Sequence, residues 1–392
     1  MPEGLRVVNI ASDTEVAYCG IAVKTGTRNE TAAQHGLAHF CEHLAFKGTS
    51  RRHAVQIINA IEGVGGELNA FTNKEDTVFY CVVQQEYLPR AVDVLCDIVF
   101  CSEHPQTEVE KESEVVCDEI ESYEDSPAEL IYDEIENILF EGHPLGHNIL
   151  GTAEQIRRYT NTDTKAFARQ WYKPENCVLF VTGKEPLPAT KPTTPLAQTR
   201  PSAATLPESK PALIVRQRHT HQAHVMLGTT AYSVGDSRRW ALYLLNNILG
   251  GPGMNSRLNM ALRERNGLVY TVESSMTCYS DTGLWTVYFG CDRHDIKRCC
   301  RMVRHQLDLL MEKPLQATRL KAAKKQLQGQ LAIACDNREQ FALDFARNYL
   351  HTGRERHLAD INRHIEALTP ADLQLTAQAV FDPERITTLI YE

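Results

Sequence analysis

Along the first half of the chain the apolar positions switch between two periods. Runs at 16–25 and 77–84 are alternating or continuously apolar and predict strands. Apolar residues three and four apart predict helices over 34–47, 53–64, 87–102 and 106–124. The stretch 186–211 is rich in Pro, Thr and Ala, carries no period, and predicts an extended linker. Beyond it a similar order returns. Strands are expected near 223–230, 268–276 and 285–291, with helices near 238–249, 293–312 and 315–351. That recurrence predicts a degenerate duplication and two domains, 1–185 and 212–392.

Composition narrows the class. A chain of 392 residues exceeds one typical core and suits two domains. No apolar run reaches the length of a membrane span, so no membrane association is expected. The opening Met1-Pro2-Glu3-Gly4 has neither a secretory profile nor an Arg-rich transit profile, which points to the cytoplasm. A net charge of −9 argues against nucleic acid as a partner. The 12 cysteines are scattered through apolar elements without a C-x-x-C pair, and read as reduced, buried thiols. Gly250-Gly251-Pro252-Gly253 lacks the Lys-Ser/Thr of a phosphate loop and reads as a turn or hinge.

One run carries chemistry. In His39-Phe40-Cys41-Glu42-His43 the two histidines are four apart, hence one turn apart on one helix face. Glu42 lies on the same side and can face a metal-bound water without ligating. This is the H-x-x-E-H arrangement, the inverse of the H-E-x-x-H zinc motif. Zinc with one open position activates water near neutral pH, and a neighbouring carboxylate moves its proton. The bland alternative is two histidines on an ordinary helix. His35 offers a second pair with His39, but that pair would leave Glu42 a turn from its working position. Cys41 projects to the opposite face and reads as packing.

Two histidines need a third ligand. The acidic helical pattern of 112–124 supplies carboxylates, with Glu112 and Glu119 seven apart on one face. A solvated acidic face is the competing reading, and the run itself leaves Glu112, Glu119 and Glu121 open.

The motif with its continuation Leu44-Ala45-Phe46-Lys47-Gly48-Thr49 resembles the pitrilysin-type (inverzincin, M16) metallopeptidases, which include insulin-degrading enzyme and the mitochondrial processing peptidase. Gly65-Gly66-Glu67-Leu68-Asn69-Ala70-Phe71-Thr72, His143-Pro144-Leu145-Gly146, Ile149-Leu150-Gly151-Thr152 and Tyr172-Lys173-Pro174-Glu175-Asn176 are similar too. So are Ser256-Arg257-Leu258, Leu262-Arg263-Glu264 and Gly267-Leu268-Val269-Tyr270, so that the resemblance covers nearly the whole chain. It implies an α+β fold of two homologous domains, each a largely antiparallel sheet packed against helices. It implies one Zn2+ per subunit, and a third ligand about 76 residues beyond the second histidine, which is Glu119 here. Glu112 matches a further carboxylate that supports catalysis, and Glu42 is the general base. In the second copy, residues 241–247 stand where the first has its metal helix, without ligands.

The same resemblance assigns Arg263 and Tyr270 to substrate assistance: a guanidinium fixes a peptide carbonyl and a phenol donates to an oxyanion. Asn69, Ala70, Phe71 and Thr72 match an edge strand against which an extended peptide pairs. Family members enclose peptides with four such domains, and this chain has two. Because it carries both the zinc set and the Arg/Tyr pair, the expectation is a homodimeric zinc endopeptidase acting on unstructured peptides, each site completed across the interface. The competing expectation is a catalytically silent structural or peptide-binding subunit, for which an intact Glu42 has no use.

Overall fold

Two five-stranded sheets with one shared topology organise the chain. The computed structural model describes residues 1–188, 205–218, 220–355 and 357–392. In the first half the strands are β1 (Arg6–Ala11), β2 (Val16–Val23), β3 (Glu67–Thr72), β4 (Thr77–Gln84) and β5 (Cys177–Gly183). Between them come helices α1 (Leu37–Ala45), α2 (Ala54–Glu62), α3 (Leu88–Phe100), α4 (Gln106–Glu124), α5 (Pro127–Leu139), α6 (Ala153–Ile156) and α7 (Asn161–Trp171). The second half has β6 (Ala212–Arg216), β7 (Ala223–Ala231), α8 (Arg239–Gly250), β8 (Val269–Cys278), β9 (Gly283–Cys291), α9 (Ile296–Glu312), α10 (Ala317–Ala334), α11 (Arg338–Thr352), α12 (Leu358–Ala367), α13 (Pro370–Val380) and β10 (Thr387–Tyr391).

The sheet orders are β1-β5-β2-β4-β3 and β6-β10-β7-β9-β8, the same permutation twice. Only β1–β5 and β6–β10 pair in parallel; every other neighbour is antiparallel. The fold is α+β and duplicated, and α8 follows β7 as α1 follows β2. Within the expected linker, 189–204 lie outside the described residues.

The sheets need cover on both faces. Central strand β5 reads CVLFVTG and is buried at every residue, as is β9 over its full length. Apolar side chains on both sides of a strand require a layer on each face. On one face of the first sheet lie α1, α3 and α7, built around Leu37, Phe40, Leu95 and Phe167. The other face is covered by α11, whose Ala342, Phe345, Ala346 and Leu350 pack on Ala22, Val78, Val178 and Phe180. Correspondingly, α5 packs Leu130, Ile131, Ile135 and Leu139 on Met226, Leu284 and Leu389 of the second sheet. The compact units are therefore not contiguous. One comprises 1–122, 147–200 and 334–356; the other comprises 123–146, 201–333 and 357–392. The contiguous division into 1–185 and 212–392 differs from these units at the two exchanged helices.

The exchange depends on a break that the apolar pattern of 315–351 concealed. Two helices occupy that span, separated at Cys335-Asp336-Asn337. Asn337 caps α11, its side-chain oxygen accepting the Gln340 amide at 3.2 Å. Leu350 is fully buried under the first sheet. Leu350→Ala is expected to cost about 2–5 kcal/mol in urea unfolding; an unchanged midpoint would mean that α11 does not hold this face.

All 12 cysteines are free thiols and most are buried. Among the described residues no helix is long and apolar enough to cross a membrane.

Candidate metal centre

Helix α1 starts at Leu37, three residues later than its apolar pattern extends. Gly36 precedes it at φ 86, in the left-handed region that glycine adopts freely. A Cβ there would lie 2.6 Å from the Leu150 carbonyl oxygen. The helix has no capping side chain of its own. Instead the buried Glu30 carboxylate accepts the amides of Gly36 at 3.0 Å and Ala38 at 2.7 Å. Burial pushes the Glu30 carboxyl up to about 8, against the pull of those amides and of Lys74. His147 Nε2 meets the same carboxylate at 3.0 Å. His35 falls outside the helix and stacks on His147, ring centroids 3.9 Å apart, so it forms no helical pair with His39.

One turn apart on α1, His39 and His43 aim their Nε2 atoms at one oxygen of Glu119, at 3.8 and 3.5 Å. Their potential ligand atoms all lie within 4.8 Å of one another. Helix α4 presents Glu119 because Val109, Val116, Cys117 and Ile120 bury one stripe and hold its register. Two turns earlier, Glu112 is buried on the same side. One of its oxygens meets His43 Nδ1 at 3.3 Å, and the other takes Lys47 Nζ at 2.6 Å. Glu121 is exposed and outside the cluster. Of the three carboxylates the helical pattern left open, Glu119 is the one brought to both histidines, and Glu112 stands behind His43.

Charge follows from these contacts. Burial pulls His43 down, yet Glu112, Glu119 and Glu42 outweigh it and raise the imidazole to about 9. His39 goes the other way, to about 4, through burial and the neighbouring His43, against Glu119. Its Nδ1 is buried with no hydrogen-bond partner among the described residues. Two imidazole nitrogens and one carboxylate oxygen, converging and backed by Glu112, fit a zinc ion with one position left open. Glu112→Ala should weaken metal binding by about 10–100-fold, measured by competition with a chromophoric chelator. An unchanged affinity would remove Glu112 from support of His43.

Glu42 lies on the same helix but outside the donor cluster, at 7% exposure. Burial pushes its carboxyl up to about 7; Thr72 and His43 oppose this, and Glu119 adds to it. Thr72 Oγ1 donates to Glu42 Oε2 at 2.6 Å. Thr72 ends β3, the outermost strand of its sheet, which pairs with β4 on one side only. Along β3, Leu68 and Ala70 pack toward the core that contains α1, whereas Phe71 packs toward the α11 face. Asn69 is exposed.

Arg263 and Tyr270 belong to the second unit. Arg263 sits in a π-helical segment, Asn259–Glu264, and its guanidinium lies 5.6 Å from the centroid of the Tyr270 ring. Tyr270 is 79% exposed on β8, where the register with β9 shifts between Val269 and Val272. On α8 no ligand replaces the α1 histidines. Its buried Asn246 instead donates to Ser274 of β8 and accepts from Trp285 of β9.

A helix-borne H-x-x-E-H set with a distant glutamate, in a duplicated α+β fold, defines a metallopeptidase-type centre. The family model "Insulinase (Peptidase family M16)" matches residues 6–153, and "Peptidase M16 inactive domain" matches 158–327. The "Uncharacterized zinc protease YmxG" of Bacillus subtilis is 31% identical, covering 99% of this chain and 96% of that protein. An "Uncharacterized zinc protease" of Streptomyces coelicolor is 34% identical over 97% of this chain and 86% of its own length. The beta subunit of the mitochondrial-processing peptidase of Neurospora crassa is 29% identical over 95% and 83%. A solved protease from Helicobacter pylori superposes with a TM-score of 0.88 at 22% identity, covering 99% and 97%. The chain belongs to peptidase family M16.

Motif reasoning missed Glu30, Lys74 and His147. They surround the start of α1, with Lys74 donating to the His147 carbonyl, from positions scattered across 117 residues. No local spacing joins them; they meet where His147 contacts Glu30 and the turn between β3 and β4 brings Lys74 to the His147 carbonyl.

Proposed function

We propose that the protein is a zinc-dependent endopeptidase that cleaves unstructured peptides. The observation that carries this is the convergence of His39, His43 and Glu119, with Glu42 beside them and outside the donor set. A zinc ion held there supplies Lewis-acid activation of water and of the scissile carbonyl. Glu42 takes a proton from the attacking water and delivers it to the leaving amine. Burial, which raises this carboxyl to about 7, suits a group that must both accept and donate near neutrality. Glu112 holds His43 by its Nδ1 edge and leaves Nε2 to face Glu119. The edge of β3 away from β4, over Asn69, Ala70, Phe71 and Thr72, supports an extended peptide through main-chain hydrogen bonds, for which Ala70 and Thr72 turn their backbone groups away from β4.

In this reading two copies form a homodimer, one zinc per subunit, and Arg263 and Tyr270 of one subunit serve the zinc site of the other. The support is that one chain carries both sets. Exposure of Tyr270 leaves its hydroxyl available to donate to an oxyanion. Free thiols throughout accord with a reducing compartment such as the cytoplasm. Mixing Arg263→Ala with Glu42→Gln chains tests the dimer: about a quarter of the sites should recover under random pairing with statistical site reconstitution. A mixture no more active than either parent would place the Arg/Tyr pair elsewhere.

A further inference from the structure

The turn joining β3 to β4 is held by three other parts of the chain and by its own hydrogen bonds. Asp76 is 1% exposed. Its Oδ1 accepts from Arg347 Nε at 2.9 Å and from Asn73 Nδ2 at 2.7 Å. Its Oδ2 meets His351 Nε2 at 2.8 Å. The Asn73 amide closes the turn on the Asp76 carbonyl at 2.7 Å. Glu75 pairs with Arg28 at 2.7 Å, and Lys74 reaches the His147 carbonyl. Arg347 and His351 both lie on α11, so a helix from the C-terminal half of the sequence grips a turn in the first sheet.

The residues that flank this turn reach the general base. Thr72 and Thr77 are cross-strand partners at its two ends. Their hydroxyls lie 3.4 Å apart; Thr77 donates to the Thr25 carbonyl at 2.9 Å, and Thr72 donates to Glu42 at 2.6 Å. Thr25 is itself held through its hydroxyl by Asn176 at 3.2 Å. Thr25, Glu42, Thr72, Asp76, Thr77 and Asn176 are all buried, and Arg347 and His351 are partly exposed. A carboxylate on a short helix has rotameric freedom, and one buried hydroxyl removes it.

We propose that Thr72 is the positioning residue for Glu42, and that Asp76, gripped by Arg347 and His351, holds Thr72 in place. The hydroxyl aims one oxygen of the base, while the other stays free to handle the proton. Asp76 acts through the turn, not through contact with substrate or metal. The proposal rests on Glu42 being the base. It gives α11 a role at the site on α1 that is distinct from the Arg263 and Tyr270 assignment.

The test is a series assayed on one quenched peptide: wild type, Glu42→Gln, Thr72→Val, Thr72→Ser, His351→Ala and the double variant Thr72→Val/His351→Ala. Thr72→Val keeps the volume and removes the donor. It should lose about 10–100-fold in kcat. Its KM should stay within about twofold and its zinc content should match wild type. Thr72→Ser should recover most of kcat. His351→Ala should lower kcat in the wild-type background and add little to Thr72→Val, because both act on one group. Arg347→Gln replaces it if His351→Ala does not fold. A crystal structure of Thr72→Val should show the Glu42 carboxylate turned from its wild-type position.

Unchanged kcat in Thr72→Val, or a raised KM with kcat retained, overturns the proposal; the second result makes Thr72 part of the peptide-binding strand. Additive losses in the double variant remove the α11 clause. An inactive wild type overturns both this inference and the peptidase reading. An active wild type with inactive Glu42→Gln and normal Thr72→Val overturns the inference alone.

Discussion

Glu42→Gln is expected to lower turnover by about 10²–10⁴-fold with zinc still bound. Geometry separates Glu42 from the three converging donors. His39, His43 and Glu119 gather their donor atoms within 4.8 Å, and Glu42 is not among them. Its carboxylate instead takes the Thr72 hydroxyl at 2.6 Å. Glutamine keeps the volume and a carbonyl acceptor for that bond, so packing at this buried position survives. What it cannot do is accept and return a proton. Zinc analysis beside steady-state kinetics checks both halves. A variant that lost its metal would make Glu42 a ligand, and one that kept its turnover would remove it from catalysis.

His39→Ala should abolish metal binding itself. Three protein donors are the minimum for a zinc centre of this kind, and His39 is the most enclosed of the three. A ligand at about 100 times its dissociation constant stabilises the folded state by about 2.7 kcal/mol. Wild type should therefore melt at a higher temperature when zinc is added, and His39→Ala should not respond. Losing a buried imidazole whose Nδ1 has no partner among the described residues costs the apo protein little hydrogen bonding. A variant that still bound one zinc per chain would show that His43 and Glu119 recruit another donor.

The metal helix and its glutamate were legible because their spacing is local or periodic. Four residues make a turn, and seven make two, so His39, His43, Glu112 and Glu119 could be placed on faces before any tertiary contact was known. The duplication was legible too, since β2 and β7 with the helices after them repeat one order. Three features were not. The span 315–351 reads as one helix because each piece buries apolar residues at helical spacing, Leu320, Leu327 and Leu331 in one and Ala342, Phe345, Ala346 and Leu350 in the other, and the break is a single capped turn at Asn337. The exchange of α5 and α11 follows from the need to cover a second sheet face, which no local pattern encodes. The site's supports, Glu30 capping α1 and Thr72 on the base, join residues that meet only after the sheet forms. Thr72 shows the limit well: its strand assignment is a matter of sequence, whereas the direction of its hydroxyl is a matter of packing.

The most direct measurement is peptide hydrolysis by one protein sample in three states: zinc-loaded, stripped by a chelator, and reloaded with a single equivalent of zinc per chain. A quenched, unstructured peptide serves as substrate. Cleavage at internal bonds that disappears on stripping and returns at one equivalent is the predicted result. Hydrolysis indifferent to the chelator, or none at one bound zinc per chain, would contradict the assignment of His39, His43 and Glu119 as the centre of a peptidase.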